Sequence, residues 1–120
     1  VLGCRTAAEI KAFVVQPDYQ PAQLAQLAPL VSAAAEAGNV EAAAILDRSG
    51  DALAEAAQAV ASTLGLSQPV LCARGGALQN LAPLQQAVNA SLRRRQVDAR
   101  WDERSGDACD GALTLALESW

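Results

Sequence analysis

At 120 residues, 52% of them apolar, the chain is long enough for one domain or part of one, and its composition excludes a disordered polymer. A net charge of −4 argues against a partner held through nucleic-acid phosphates. The absence of histidine removes Ser-His-Asp and Cys-His hydrolysis and the usual histidine-ligated zinc centres.

In chain order, Thr6-Ala7-Ala8-Glu9 is a capping box, which predicts a helix from residue 7 to Val15 with Ile10, Phe13 and Val14 on one apolar face. Pro17 and Asp18 end it. Pro21 suits the first turn of a second helix carrying Leu24, Leu27, Leu30 and Val31, and Pro29 inside that stripe should kink or split it. Gly38 closes the segment and Asn39 is a good N-cap for a third, longest helix from Val40 to Leu64. Its apolar face is read as Ile45, Leu46, Leu53, Ala57, Val60 and Leu64, with Ser49-Gly50 either a weak point or a close packing contact.

Val70-Leu71-Cys72-Ala73, bounded by Pro69 and the Gly75-Gly76 pair, reads as a short buried strand. Leu78, Leu81, Leu84, Val88 and Leu92 support a helix, clearest from Pro83 to Arg94. Gln96 to Trp101 alternates as a second strand with Val97, Ala99 and Trp101 on one side. Residues 102–106 form a charged loop, and Asp107 or Asp110 caps a last helix through Ser119 with Leu113, Ala116 and Leu117 apolar. The fold class is therefore α/β and helix-rich. A helical segment over 1–64 precedes a strand–helix–strand–helix segment over 65–120, in a single, partial domain. A strand–helix–strand unit favours a parallel pair. Two strands alone do not make a protected parallel sheet, so further strands are expected from residues outside this stretch or from another chain.

Four features invite a chemical reading, each beside a plainer one. The glycine pair after the first strand stands where α/β folds bind ligands, or is only a tight turn. Asp107 and Asp110 suit a helix start as well as a metal. Arg93-Arg94-Arg95 suits a solvated helix end as well as a phosphate. Trp101 and Trp120 suit packing as well as stacking on a base. Cys4, Cys72 and Cys109 form no CxxC pair and read as reduced small hydrophobes, which with no visible signal peptide and no apolar run near the roughly 20 residues of a membrane span predicts a cytoplasmic setting.

Taken in order, the stretches Ala25-Gln26-Leu27-Ala28-Pro29-Leu30-Val31 and Ala34-Ala35-Glu36-Ala37-Gly38-Asn39, the helix Val40 to Leu64, Val70-Leu71-Cys72-Ala73-Arg74-Gly75-Gly76-Ala77-Leu78 and Gly106-Asp107-Ala108-Cys109-Asp110-Gly111-Ala112-Leu113 resemble the C-terminal portion of the BadF/BadG/BcrA/BcrD-type ATPase family, which includes glucosamine and N-acetylglucosamine kinases. The resemblance implies an actin-like (ribonuclease H-like) fold with Mg-ATP in the cleft between two domains. It also implies phosphoryl transfer from ATP to an amino sugar, and a homodimer as a candidate assembly. Gly75 and Gly76 would lie against the adenosine and α-phosphate, Arg74, Ala77 and Asn80 would complete the cofactor-binding set, and Gly111 would help position the last helix. Arg74 and Asn39 depart from the family pattern, which has a small or apolar residue and an Asp there.

The family's phosphate loops and catalytic aspartate are not found in these residues, so no catalytic residue is assigned and the segment alone is expected to be inactive. Two other readings stand beside the kinase: an ATPase coupled to a reductase, and a non-catalytic helical interaction module. No nucleic-acid or membrane partner is expected.

Overall fold

The computed structural model describes residues 3–16, 22, 25–102 and 108–118. Its elements are α1 (Ala7–Val14), α2 (Ala28–Glu36), α3 (Val40–Thr63), β1 (Val70–Leu71), α4 (Gly76–Asn80), α5 (Ala82–Arg94), β2 (Arg100–Trp101) and α6 (Ala108–Glu118). The chain is α/β and helix-rich. None of these helices is long and apolar enough to cross a membrane.

Local chemistry starts α1 where the sequence predicts. Thr6 Oγ1 accepts from the Glu9 amide at 3.2 Å, and the Glu9 carboxylate accepts from the Thr6 amide at 3.1 Å. The face predicted as apolar is not a core face, because no residue of α1 is buried. Pro17, Asp18, Pro21 and Leu24 lie outside the described residues. Residues 22 and 25 are helical and 26–27 form a turn before α2, so the predicted helix is split just ahead of Pro29, which sits in the first turn of α2 where a missing N–H costs nothing. At the far end Gly38 adopts φ +90°, which lets the Asn39 amide reach back to the Ala34 carbonyl at 2.9 Å. The Asn39 side chain then accepts from the Ala42 amide at 2.9 Å, so one residue closes α2 and caps α3.

Helix α3 runs 24 residues without a break through Gly50. Its buried residues are Ala42, Leu46, Gly50, Ala54 and Ala61, a stripe of mostly small side chains. The predicted apolar face is corrected: Leu46 is buried and Ala57 half-buried, but Ile45, Leu53, Val60 and Leu64 are 40–65% exposed. The physical reason is the crossing with α5. A Cβ on Gly50 would stand 2.6 Å from the Ala87 Cβ and 2.8 Å from the Val88 amide nitrogen. Backbones that close select Gly and Ala at the contact and turn the larger residues aside.

Strands β1 and β2 are each two residues long, shorter than the predicted 70–73 and 96–101. They pair in parallel, with Val70 opposite Arg100 and Leu71 opposite Trp101. The Arg100 amide donates to the Pro69 carbonyl at 3.0 Å and the Asp102 amide to the Leu71 carbonyl at 2.9 Å. The expectation of a buried first strand is corrected: Val70 is half exposed and Cys72 exposed, because no further strand flanks the pair among the described residues. Val97, Ala99 and Trp101 do share one side, packed on the cluster of Ala54, Val88 and Leu92. A second cluster gathers Leu46, Leu81 and Leu84 under α2, and Leu78 touches both. Helix α5 ends at Arg94, and the turn beyond it carries Gln96, a non-glycine residue at φ +57° whose successor's amide bonds back to the Leu92 carbonyl at 3.0 Å.

The arginine run is also corrected as a simple solvated end. Arg94 pairs with Asp51 of α3 at 2.9 Å, and Arg95 bonds Gln58 at 3.1 Å and Ser91 at 3.3 Å. The fully buried Ser91 hydroxyl donates to the same Asp51 carboxylate. That hydrogen bond, then the Arg94 guanidinium, hold the Asp51 carboxyl below its ordinary value. A lowered carboxylate contributes stability above its unfolded value and loses it as pH falls through the folded one. The stability gap between wild type and Asp51→Asn should therefore be widest at neutral pH and shrink below about pH 4. Thermal unfolding of both from pH 3 to 7 checks this, and a gap constant with pH would contradict it.

Candidate functional site

Parallel pairing sends the carboxyl ends of β1 and β2 out of the same end of the molecule. The chain leaves β1 through Cys72, Ala73 and Arg74, and leaves β2 at Asp102. Between these exits, under α4 and beside the first half of α5, lies a crevice of about 410 Å³ lined by Ala73, Arg74, Leu78, Gln79, Gln85, Asn89, Trp101 and Asp102. This is the position at which open α/β sheets bind ligands. A second hollow of about 350 Å³ between α2, α3 and α5 is lined by four alanines, Leu46 and Pro83 with Glu36, Asp47 and Gln86.

The glycine pair lies in the chain between Arg74 and Leu78, which both line the crevice, and neither glycine is itself a lining residue. Gly75 sits at φ +91°, a backbone region that side-chain-bearing residues rarely adopt, and nothing lies within 4 Å of where its Cβ would be. Its carbonyl accepts from the Gln79 amide at 3.2 Å, so the turn feeds directly into α4. A Cβ on Gly76 would meet only Asn80 Nδ2, at 3.8 Å. Asn80 itself is turned back along α4, donating to the Gly76 carbonyl at 2.8 Å.

Of the residues singled out in the sequence, Arg74 lines the crevice, and Gly75, Gly76, Ala77 and Asn80 occupy the turn and helix that border it. Gly111 sits on α6, and among the described residues α6 contributes no wall. Gly106, Asp107 and Trp120 lie outside the described residues, while Asp110 falls within the first turn of α6. Trp101 packs as the plainer reading has it, on the cluster of Val88 and Leu92, and it also lines the crevice. Its Nε1 donates to Asn89 Oδ1 at 2.7 Å.

Sequence reasoning missed the amides. Gln85 and Asn89 are four apart on α5 and so share a face. Gln85 Nε2 donates to the Leu78 carbonyl at 2.6 Å, which ties α5 to α4. The available signal was weak, because Gln85 and Asn89 stand beside Gln86, Ser91, Arg93 and Arg94 on the same helix and nothing local sets them apart. Leu78, Gln79 and Asp102 were missed because their place in the wall depends on how the two strand exits meet.

None of the three cysteines forms a disulfide, as read from their spacing; Cys72 and Cys109 are exposed and Cys4 is half-buried. Among the described residues no group of three or more Cys, Asp or Glu could hold a metal ion. No family model, curated protein or solved structure matches the chain.

Proposed function

We propose that this chain forms the adenosine side of the ATP site of an actin-like, ATP-dependent amino-sugar kinase, with Mg²⁺, the phosphate clamps and the sugar site supplied by other sequence. The observation that supports this reading is the crevice at the carboxyl ends of β1 and β2, next in the chain to a glycine pair and walled in part by an indole and three amides, Gln79, Gln85 and Asn89. Mixed apolar and amide walls suit a flat heterocycle with polar edges, and Gly75 lets the backbone approach it closely. Arg74, which lines the crevice, is the residue this reading assigns to a phosphate. Nothing in the wall is arranged as a nucleophile–base pair, so the chemistry assigned here is holding, not phosphoryl transfer.

A second reading, a helical interaction module, draws on a different observation. Leu113, Leu115 and Leu117 of α6 are 62–76% exposed, and α1 buries nothing. One titration separates the two. Calorimetry of Mg-ATP and Mg-ADP into the full chain and into Gly76→Arg should show binding that the variant loses, because this reading sets the adenosine against the glycine pair, and a Cβ at Gly76 would meet only Asn80 Nδ2, at 3.8 Å. A folded wild type that binds neither nucleotide would sink the kinase reading and leave the module.

A further inference from the structure

Strand β1 has one edge paired and one edge open. Toward β2, the Pro69 carbonyl accepts from the Arg100 amide at 3.0 Å and the Leu71 carbonyl from the Asp102 amide at 2.9 Å. Backbone groups alternate between the two edges along a strand, so Val70 and Cys72 turn their N–H and C=O groups to the other side. Among the described residues those groups make no hydrogen bond. The side chains alternate between faces: Leu71 packs on the cluster of Ala54, Val88 and Leu92, while Val70 is half exposed and Cys72 exposed.

Edge strands that stay in water are guarded by charge, by proline or by a bulge. The segment of β2 is guarded, because Asp98, Arg100 and Asp102 place a charge at every second residue. The segment of β1 is not. From Ala56 to Ala73 the chain carries no charged residue, and Val60, Leu64, Leu66 and Val70 within that stretch are 49–65% exposed. Pro69 does not guard the open edge either, since it faces β2, where its carbonyl is bonded to Arg100.

From this asymmetry we infer that β1 is a strand-addition site, which takes an extended, uncharged segment from outside these 120 residues, with apolar side chains at alternate positions. The segment continues the ladder that already joins β1 to β2, pairing with the open groups of Val70 and Cys72. Main-chain bonds supply the affinity of such a site, and the alternate side chains its selectivity. The charges along β2 leave β1 as the edge that accepts a strand. A second copy of the chain is the less suited occupant, because it brings a like net charge of −4, which opposes association.

The probe is the uncharged peptide acetyl-Thr-Val-Thr-Val-Thr-amide, titrated into the ¹⁵N-labelled full chain and followed by NMR and by amide hydrogen exchange. The Val70 and Cys72 amide signals should shift and saturate together, and their exchange should slow. The Leu71 amide, which faces β2, is the internal reference and should keep its exchange rate. The same peptide N-methylated at every residue keeps the side chains and loses the donors, and it should produce no saturable shift. Val70→Lys puts a charge on the open edge at a half-exposed position. The variant should stay folded, as checked by thermal unfolding, and lose the peptide-induced shifts. No saturable shift at Val70 and Cys72 in folded wild type, or shifts that survive N-methylation of the peptide, would overturn the inference. So would the same two signals moving with chain concentration alone, which would assign the edge to a second copy.

Discussion

Gly50→Ala should destabilise the chain by about 1–3 kcal/mol, although alanine is the better helix former by roughly 1 kcal/mol. On propensity alone this substitution in the middle of a 24-residue helix stabilises. The structure reverses the sign, because the added methyl would stand 2.6 Å from the Ala87 Cβ and 2.7 Å from its carbonyl carbon. One of those neighbours is backbone, so the strain is relieved only by moving α5 away from α3. Those two helices share the closest packing in the molecule, and Ala54, Val88 and Leu92 depend on it. Gly50→Leu should leave no cooperative transition at all. Urea unfolding of the alanine variant is the check, and a raised midpoint would contradict the close crossing.

The second large effect is expected at Leu92. This side chain is 3% exposed and shares a cluster with Ala54 and Val88, with Trp101, Leu71 and Val97 packed around it. Leu92→Ala should cost about 2–5 kcal/mol, since the surrounding backbone elements come from both helices and both strands and cannot collapse on the space together. A small domain has only about 5–15 kcal/mol of stability in total, so the variant should be unfolded or close to it. The matched control is Leu117→Ala on α6, where the leucine is 76% exposed and the change should stay within about 0.5 kcal/mol. Equal effects at the two sites would mean that the packing described around α5 is not the core.

Helix starts and stops were legible from sequence because they are local events. Thr6 with Glu9, Gly38 and Asn39 each act within a few residues of themselves, and each behaves as predicted. The closing turn of α5 was not legible, since Gln96 occupies a left-handed position that its residue type does not advertise. Burial was legible only where hydrophobic residues were also the contact residues. In α5 they were, and Leu84, Val88 and Leu92 are buried as their spacing implies. In α3 they were not. The close crossing at Gly50 chose the alanine stripe, and no periodicity of large apolar residues announces that.

The candidate site divides in the same way. The turn at Gly75-Gly76 could be read directly, because a glycine pair after an apolar run is a local signal. The wall could not. Asn89 and Trp101 meet only because a parallel crossover brings residues 12 apart in sequence to one crevice, where the indole orients Asn89 and the Leu78 carbonyl orients Gln85. Arg94 and Asp51 show the same limit for charge, since a run of three arginines gives no sign of a partner 43 residues away.

The central claim is that nucleotide sits between the ends of β1 and β2. The most direct measurement is an NMR titration of the ¹⁵N-labelled chain with Mg-ADP, following the Trp101 indole N–H and the side-chain amides of Asn89 and Gln85. The account predicts that these three signals, with the backbone amides of Arg74 to Gln79, shift together and saturate with one affinity. Saturable shifts confined to other regions, with the indole and both amides unmoved, would contradict it.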